Sequence, residues 1–234
     1  MASNIKALGL ALCALVLLSA ATAMSAPAQI IHDFKAESVA EEEKEKKSIP
    51  FIVTGEQLAT EAIKYEIGEG GFTLECSVEK LNGTQKSSSP ASITVEPTHE
   101  GCNAGGTPVT VDNEGCRYFV DGATDANGHA QMHVECEAGS KTRITLTGCT
   151  IEIGEQTPGG GVHYTKSGSG KNREIFMQVT TSNIKYSLIG LLCGAIGGTG
   201  NDLSMRGTYT MAAYKDNGGK EGERIGLYTE ETIK

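Results

Sequence analysis

Hydrophobic and polar residues alternate along much of the chain from residue 49 onward. Between residues 72 and 79, Phe72, Leu74, Cys76 and Val78 occupy every second position, and the residues between them are polar. A period of two is typical of a β-strand with one buried face. Shorter versions of the pattern predict strands near residues 49–54, 93–95, 142–147, 149–153, 175–179, 209–213 and 224–229.

One hairpin can be aligned residue by residue. When residues whose numbers sum to 252 are paired, opposite charges meet on one face and apolar residues meet on both faces. Such agreement favours this register, because a slip of one residue would exchange the two faces. The turn-forming residues between 121 and 129 would connect the strands. The predicted pairs are Cys116–Cys136, Tyr118–Val134 and Val120–Met132 on one face, and Arg117–Glu135 and Phe119–His133 on the other.

Glycine-rich segments predict the breaks between strands. Asn82-Gly83-Thr84 is also a glycosylation sequon, but Asn-Gly favours a hairpin turn. Gly148 coincides with a change of phase and predicts a bulge or a bend between sheets. Residues 158–171 predict a mobile loop, and residues 187–200 a buried strand followed by a loop.

These elements predict an all-β protein. The chain has 30 glycines and no tryptophan, and Thr and Val recur in short runs, as is common in β proteins with many turns. We expect residues 49–234 to form one domain, a two-sheet sandwich of about ten strands with Greek-key or jelly-roll connections. Residues 29–48 carry a charge run at 41–47 and predict a polar linker.

The first 28 residues predict a secretory signal peptide. Lys6 is followed by an apolar run too short to span a membrane, and then by small residues that allow cleavage after Ala23 or Ala28. We therefore expect a secreted or extracytoplasmic protein, with no transmembrane segment in the mature chain.

Six cysteines follow the leader, and an even number in an exported chain predicts three disulfides. The hairpin register places Cys116 opposite Cys136, so this bridge is the firm prediction. For the other four cysteines we favour a nested scheme, Cys102 with Cys149 and Cys76 with Cys193. The rival is a sequential scheme, Cys76 with Cys102 and Cys149 with Cys193.

Charge and motifs exclude several function classes. The formal net charge of −9 argues against nucleic-acid binding and against anionic lipid surfaces. His129 and His133 lie four residues apart near Asp121 and Asp125, but on a strand they would be about 13 Å apart, too far to share a metal ion. The sequence contains no P-loop, no G-x-S-x-G elbow and no C-x-x-C motif. We therefore predict no catalytic residues, no metal site and no cofactor.

The arrangement of short motifs resembles a group of exported, disulfide-containing β-rich proteins of soil actinobacteria. The matching features run over most of the mature chain, although the acidic run at 41–47 departs from the pattern. The resemblance implies an extracytoplasmic β-rich domain, and it carries no established activity or functional residue to transfer. The features are His32-Asp33-Phe34, Thr54-Gly55-Glu56-Gln57, Gly101-Cys102, Gly115-Cys116, Thr147-Gly148-Cys149 and a late cysteine before Gly207-Thr208-Tyr209.

The sequence thus favours a noncatalytic module with a binding or structural role at the cell envelope or outside the cell, its partner unknown. Loops on a rigid β scaffold usually carry recognition, which favours residues 158–171 or 194–202. The alternative is a secreted hydrolase, such as a glycosidase, that uses surface carboxylates.

Overall fold

Strands account for most of the chain in the computed structural model, which describes residues 30–36, 50–68, 71–86, 90–124, 129–196 and 200–233. The predicted signal peptide and the charge run at 41–47 lie outside these residues. The described part contains nineteen strands: β1 (Ile30–Ala36), β2 (Phe51–Gln57), β3 (Ile63–Ile67), β4 (Phe72–Cys76), β5 (Val78–Gln85), β6 (Ser92–Glu100), β7 (Asn103–Ala104), β8 (Thr107–Pro108), β9 (Thr110–Asp112), β10 (Cys116–Thr124), β11 (His129–Cys136), β12 (Thr142–Leu146), β13 (Cys149–Ile153), β14 (Gly159–Ser167), β15 (Glu174–Ile184), β16 (Ser187–Ile189), β17 (Leu203–Asp216), β18 (Glu221–Ile225) and β19 (Leu227–Ile233). In the same described residues, two short 3-10 helices span Gly170–Asn172 and Cys193–Ala195.

Eight antiparallel strands close into a barrel. Their order around the ring is β2, β5, β6, β10, β11, β14, β15 and β17, and β17 returns to β2. The long strand β17 makes the closure, because one of its edges pairs with β15 while the other pairs with β3 and then β2.

The prediction of an all-β chain is confirmed, but the two-sheet sandwich is wrong. In both architectures every strand presents alternate residues to the core, so the alternation that predicts the strands does not distinguish them. The distinguishing pairings join β17 to β2 and β15, and the first of these connects segments about 150 residues apart.

A smaller sheet packs against the barrel. Its strand order is β16, β13, β12 and β9, and its buried residues Ile144 and Ile151 belong to the same hydrophobic core as the barrel residues. Gly148 lies in the two-residue turn between β12 and β13, since Leu146 pairs with Cys149. Its φ of 73° suits a tight turn, so the expected bulge or bend between sheets is instead a hairpin turn.

The stretch expected to be a linker contains a strand. β1 pairs along its whole length with the C-terminal strand β19, and Phe34 is fully buried. Phe34 and Ala36 are buried in the core, whereas Asp33 beside them and Lys35 between them are half-buried.

The predicted hairpin is confirmed. β10 and β11 pair in the expected register from Cys116–Cys136 to Val120–Met132, and a bulge follows Val120. Cys116 is bonded to Cys136.

The nested scheme for the other cysteines is wrong. The bonds join Cys76 to Cys102 and Cys149 to Cys193. The β4 cysteine, Cys76, lies near Cys102 because β4 pairs with β7, and Cys102 directly precedes β7.

Two glycine-rich segments predicted as turn or loop are strands. Asn82 and Gly83 lie inside β5 and pair with β2. A Cβ on Gly83 would lie 1.9 Å from the carbonyl oxygen of Thr94, so this glycine permits a close approach of neighbouring backbones rather than a reversal of the chain. Most of the predicted mobile loop at 158–171 is β14, which pairs with β15 at nine successive positions.

Candidate functional site

A cluster of polar side chains is buried among the hydrophobic residues of the core. Its centre is Glu79 on β5, whose carboxyl group is fully buried and directly opposite His99 on β6. The Glu79 Oε2 atom lies 3.1 Å from His99 Nε2 and accepts a hydrogen bond from the Tyr65 hydroxyl at 3.2 Å. Tyr209 donates to the other carboxyl oxygen at 2.8 Å.

The cluster extends from Glu79 to the small sheet. Asn113 Nδ2 lies 3.3 Å from His99 Nδ1 and donates to the Pro97 carbonyl at 2.6 Å. Thr142 on β12 donates to Asn113 Oδ1 at 3.1 Å. Buried polar groups are costly unless they are hydrogen-bonded, and this chain of partners satisfies them across the barrel and the small sheet.

Burial dominates the ionisation of the tyrosines in this cluster. It raises the pKa of Tyr65, Tyr118 and Tyr209 well above the ordinary value, and the nearby Glu79 carboxyl raises the pKa of each further. The three phenols therefore remain protonated in the folded chain across the physiological range, and Tyr65 and Tyr209 act as donors to Glu79.

Sequence reasoning missed Glu79 because it extended the alternation of residues 72–78 through Glu79. A bend at Ser77 separates β4 from β5. The odd-numbered residues Glu79 and Leu81 then face the core, while the odd-numbered residues of β4 do not. Leu81 could have revealed the change, because this apolar residue is at an odd-numbered position, whereas the buried residues Leu74 and Cys76 of β4 are at even-numbered positions.

His133 lies on the outer face of the barrel and is bonded on both sides. Its Nε2 atom lies 3.1 Å from Asp121 Oδ2, and its Nδ1 atom lies 2.8 Å from Thr157 Oγ1. His129 begins β11, where its Cα position pairs with that of His163, and its side chain lies outside the description. In the described residues no group of three or more His, Cys, Asp or Glu side chains is arranged to hold a metal ion. The absence of tight metal binding by His129 and His133 stays a prediction.

Three large apolar side chains are exposed near the Cys149–Cys193 bond. Their exposed fractions are 53% for Ile189, 100% for Leu191 and 58% for Leu192, and we call these three residues the apolar tip. They differ from the sequence prediction, which placed a buried strand in this segment.

The tip is held by the small sheet. Ile189 pairs with Thr150 on β13, the Leu192 N–H donates to the Gly148 carbonyl at 3.2 Å, and Cys193 is bonded to Cys149. The sequence favours two segments as recognition loops. Most of the first, 158–171, is the barrel strand β14 (Gly159–Ser167), and the second, 194–202, begins two positions after the tip. The apolar tip is therefore not part of either predicted loop, but it lies just before the second one.

The chain matches no family model, no curated protein and no solved structure. The resemblance to exported actinobacterial proteins therefore stays a prediction. Within the described ranges, no helix has both the length and the apolar character needed to cross a membrane.

Proposed function

We propose that the chain is an extracytoplasmic binding module that docks a partner protein through the apolar tip. The observation that carries the proposal is Leu191, which is fully exposed on a segment held by a disulfide bond. Three neighbouring apolar side chains kept in water cost solvation free energy, and exposed apolar patches commonly mark interaction sites.

The energetics suit a small anchor. Burying a fully exposed leucine in an apolar pocket contributes about 1.5–3 kcal/mol. The bonds at Gly148 and Cys149 hold the tip before binding, so docking loses less conformational entropy than the ordering of a free loop would.

Charge and size favour a protein partner with an apolar pocket. The acidic chain, at a net charge of −9, is repelled by anionic lipid surfaces. A second copy of the chain is the alternative occupant, and the cross-linking experiment below distinguishes it from a different protein. A pocket that encloses Leu191 needs only the three residues of the apolar tip.

The three disulfides are consistent with an extracytoplasmic location. The predicted signal peptide supports the finer proposal that the protein is secreted or held at the cell envelope.

Site-specific photo-cross-linking tests the docking proposal. A benzophenone amino acid is placed at position 191 in one chain and, as a matched exposed control, at Asn217 in the turn before β18 in another. Cells that produce and export each chain are then irradiated. We expect one discrete protein adduct from position 191 that the control lacks, and a Leu191→Asp chain added in excess should not compete for it.

Three outcomes would contradict the proposal. Adducts with lipid would indicate a membrane anchor, adducts between two copies of the chain would indicate self-association, and equal adducts from both positions would indicate nonspecific contact.

The hydrolase alternative rests on a pair of carboxylates, and a cluster of them in one deep cleft would favour it. The described carboxyl group that is fully buried, Glu79, has two tyrosines and a histidine as its bonded neighbours. The geometry at Glu79 therefore adds no support to a glycosidase.

A further inference from the structure

Three neighbouring segments bring Asp121, His133 and Thr157 together on the outer face of the barrel. Val134 and Gln156 exchange two backbone hydrogen bonds of 2.8 and 2.9 Å, so the next antiparallel pair is His133 with Thr157. On the other side of β11, His133 pairs with Phe119. Asp121 lies two residues further along β10 and so shares the Phe119 face.

The hydrogen bonds define the roles of the two ring nitrogens of His133. With the proton on Nε2, the ring donates to Asp121 Oδ2 at 3.1 Å, and Nδ1 accepts from the Thr157 hydroxyl at 2.8 Å. Both bonds are then satisfied by a neutral imidazole. The backbone of Asp121 is held in turn by the Tyr164 hydroxyl, which donates to the Asp121 carbonyl at 3.0 Å.

The group remains reachable from solvent. Thr157 is exposed, and the side chains of His133 and Asp121 retain 27% and 30% of their accessible surface. A cavity of ≈ 250 Å³ adjoins His133 and Thr157, and it is lined by Phe119 and by the exposed Glu135 and Glu155. This volume suits a small molecule, and the two carboxylates favour a cationic one.

We propose that Thr157 is an activated nucleophile that cleaves small carboxylic esters bearing a positive charge. A hydroxyl bonded to a base that a third group orients is the arrangement that activates nucleophiles in acyl transfer. His133 is the base, and Asp121 is a positioning residue that fixes the tautomer of the ring. The inference is independent of the docking proposal, because the apolar tip contributes no residue to this cavity.

The reaction balances without a further reagent. Thr157 Oγ attacks the ester carbonyl carbon while its proton passes to His133 Nδ1, and that proton then moves to the leaving alkoxide as the ester C–O bond breaks. The product alcohol departs and leaves an acyl-threonine. Water attacks the acyl carbon with His133 again as base, which releases the carboxylic acid and restores the Thr157 hydroxyl.

Acetylcholine and its uncharged isostere 3,3-dimethylbutyl acetate are the matched probes. The mature, disulfide-intact chain is incubated with each, acid release is followed by titration, and peptides are mapped for an acetyl group on Thr157. We expect release above buffer, faster with the cationic ester, and acetylation at Thr157.

The variants separate catalysis from sheet stabilisation. Thr157→Ala and His133→Ala should lower the rate by about 10²-fold or more, and Thr157→Ser should retain it. Glu155→Gln should reduce the ratio of the rate with acetylcholine to the rate with the neutral ester. The control Thr208→Ala removes a hydroxyl that donates to Glu61 at 2.7 Å and should retain the full rate.

Two results would overturn the proposal. One is a wild-type chain that releases no acid from either ester and carries no acetyl group on Thr157. The other is a Thr157→Ala chain as active as wild type. If Thr157→Ala unfolds in less urea, the acetyl group mapped on Thr157 of the wild-type chain decides between the two roles, because a hydroxyl that only stabilises the sheet acquires none.

Discussion

The Tyr209 hydroxyl donates a hydrogen bond of 2.8 Å to Glu79 Oε1 in the core of the barrel. Tyr209 belongs to the strand that closes the ring, and Glu79 belongs to β5, two strands away through β2. Both residues are fully buried. The bond therefore spans the seam at which the chain closes on itself, and its loss should affect the stability of the whole barrel.

Tyr209→Phe should lower the free energy of unfolding by about 1–3 kcal/mol, because it removes one donor from a buried carboxyl group that water cannot reach. Urea denaturation of the oxidised protein measures the change. Tyr214→Phe is the control, since Tyr214 is on the same strand but only half-buried, and we expect a change below about 0.5 kcal/mol there. Equal losses of unfolding free energy in the two variants would show that the hydrogen bond to Glu79 contributes no more to stability than the half-buried Tyr214 hydroxyl does.

High pH should destabilise the protein through its buried tyrosines. Burial raises the pKa of Tyr65, Tyr164 and Tyr209 in the folded chain, whereas in the unfolded chain their pKa is about 10. Above pH 10 the unfolded chain therefore loses protons that the folded chain keeps, so stability is complete below this pH and falls as pH rises. Each such tyrosine contributes a slope of up to about 1.4 kcal/mol per pH unit.

Urea denaturation at pH values between 9 and 11.5, with phenolate absorbance as a second signal, checks this expectation. Tyr209→Phe should reduce the slope, and the buried phenols should ionise together with unfolding. Ionisation of all seven tyrosines before any loss of structure would contradict it.

The features that could be predicted from the sequence are local ones. The register of β10 and β11 follows from pairs only 12 to 20 residues apart, and the facing cysteines and charges select it. Closure of the barrel requires β17 to pair with β2, about 150 residues earlier, and alternation of residues carries no information about partners at that distance.

The candidate sites show the same limit. His133 and Asp121 are recognisable as possible site residues, but Thr157 joins them only through the isolated pairing of Val134 with Gln156. Residues 187–200 are apolar and glycine-rich, and such a composition predicts burial. Leu191 is exposed instead, because the bond to Cys149 holds the segment at the edge of the small sheet rather than under it.

Gly83→Ala should be strongly destabilising, because Gly83 lies inside β5 against the backbone of the neighbouring strand. The new Cβ would lie 1.9 Å from the Thr94 carbonyl oxygen, and backbone in the middle of a sheet cannot move aside without breaking its ladder. We expect a loss of about 3 kcal/mol in urea denaturation. Gly154→Ala is the matched control, because a Cβ there meets no atom within 4 Å. Similar stability of the two variants would show that the backbone of Thr94 does not lie against Gly83.

Removal of either the Cys116–Cys136 or the Cys149–Cys193 disulfide should lower stability, but only removal of Cys149–Cys193 should also affect the apolar tip. On the chain-entropy relation, loss of a loop of 20 residues at Cys116–Cys136 or 44 residues at Cys149–Cys193 costs roughly 3–4 kcal/mol. Paired serine substitutions measured by urea denaturation test these values. Because Cys193 adjoins the apolar tip, only the Cys149→Ser/Cys193→Ser chain should also lose the cross-link from position 191 in the producing cell, although its barrel stays folded. Loss of that cross-link in the Cys116→Ser/Cys136→Ser chain, with the barrel still folded, would show that the tip does not depend on its own bridge.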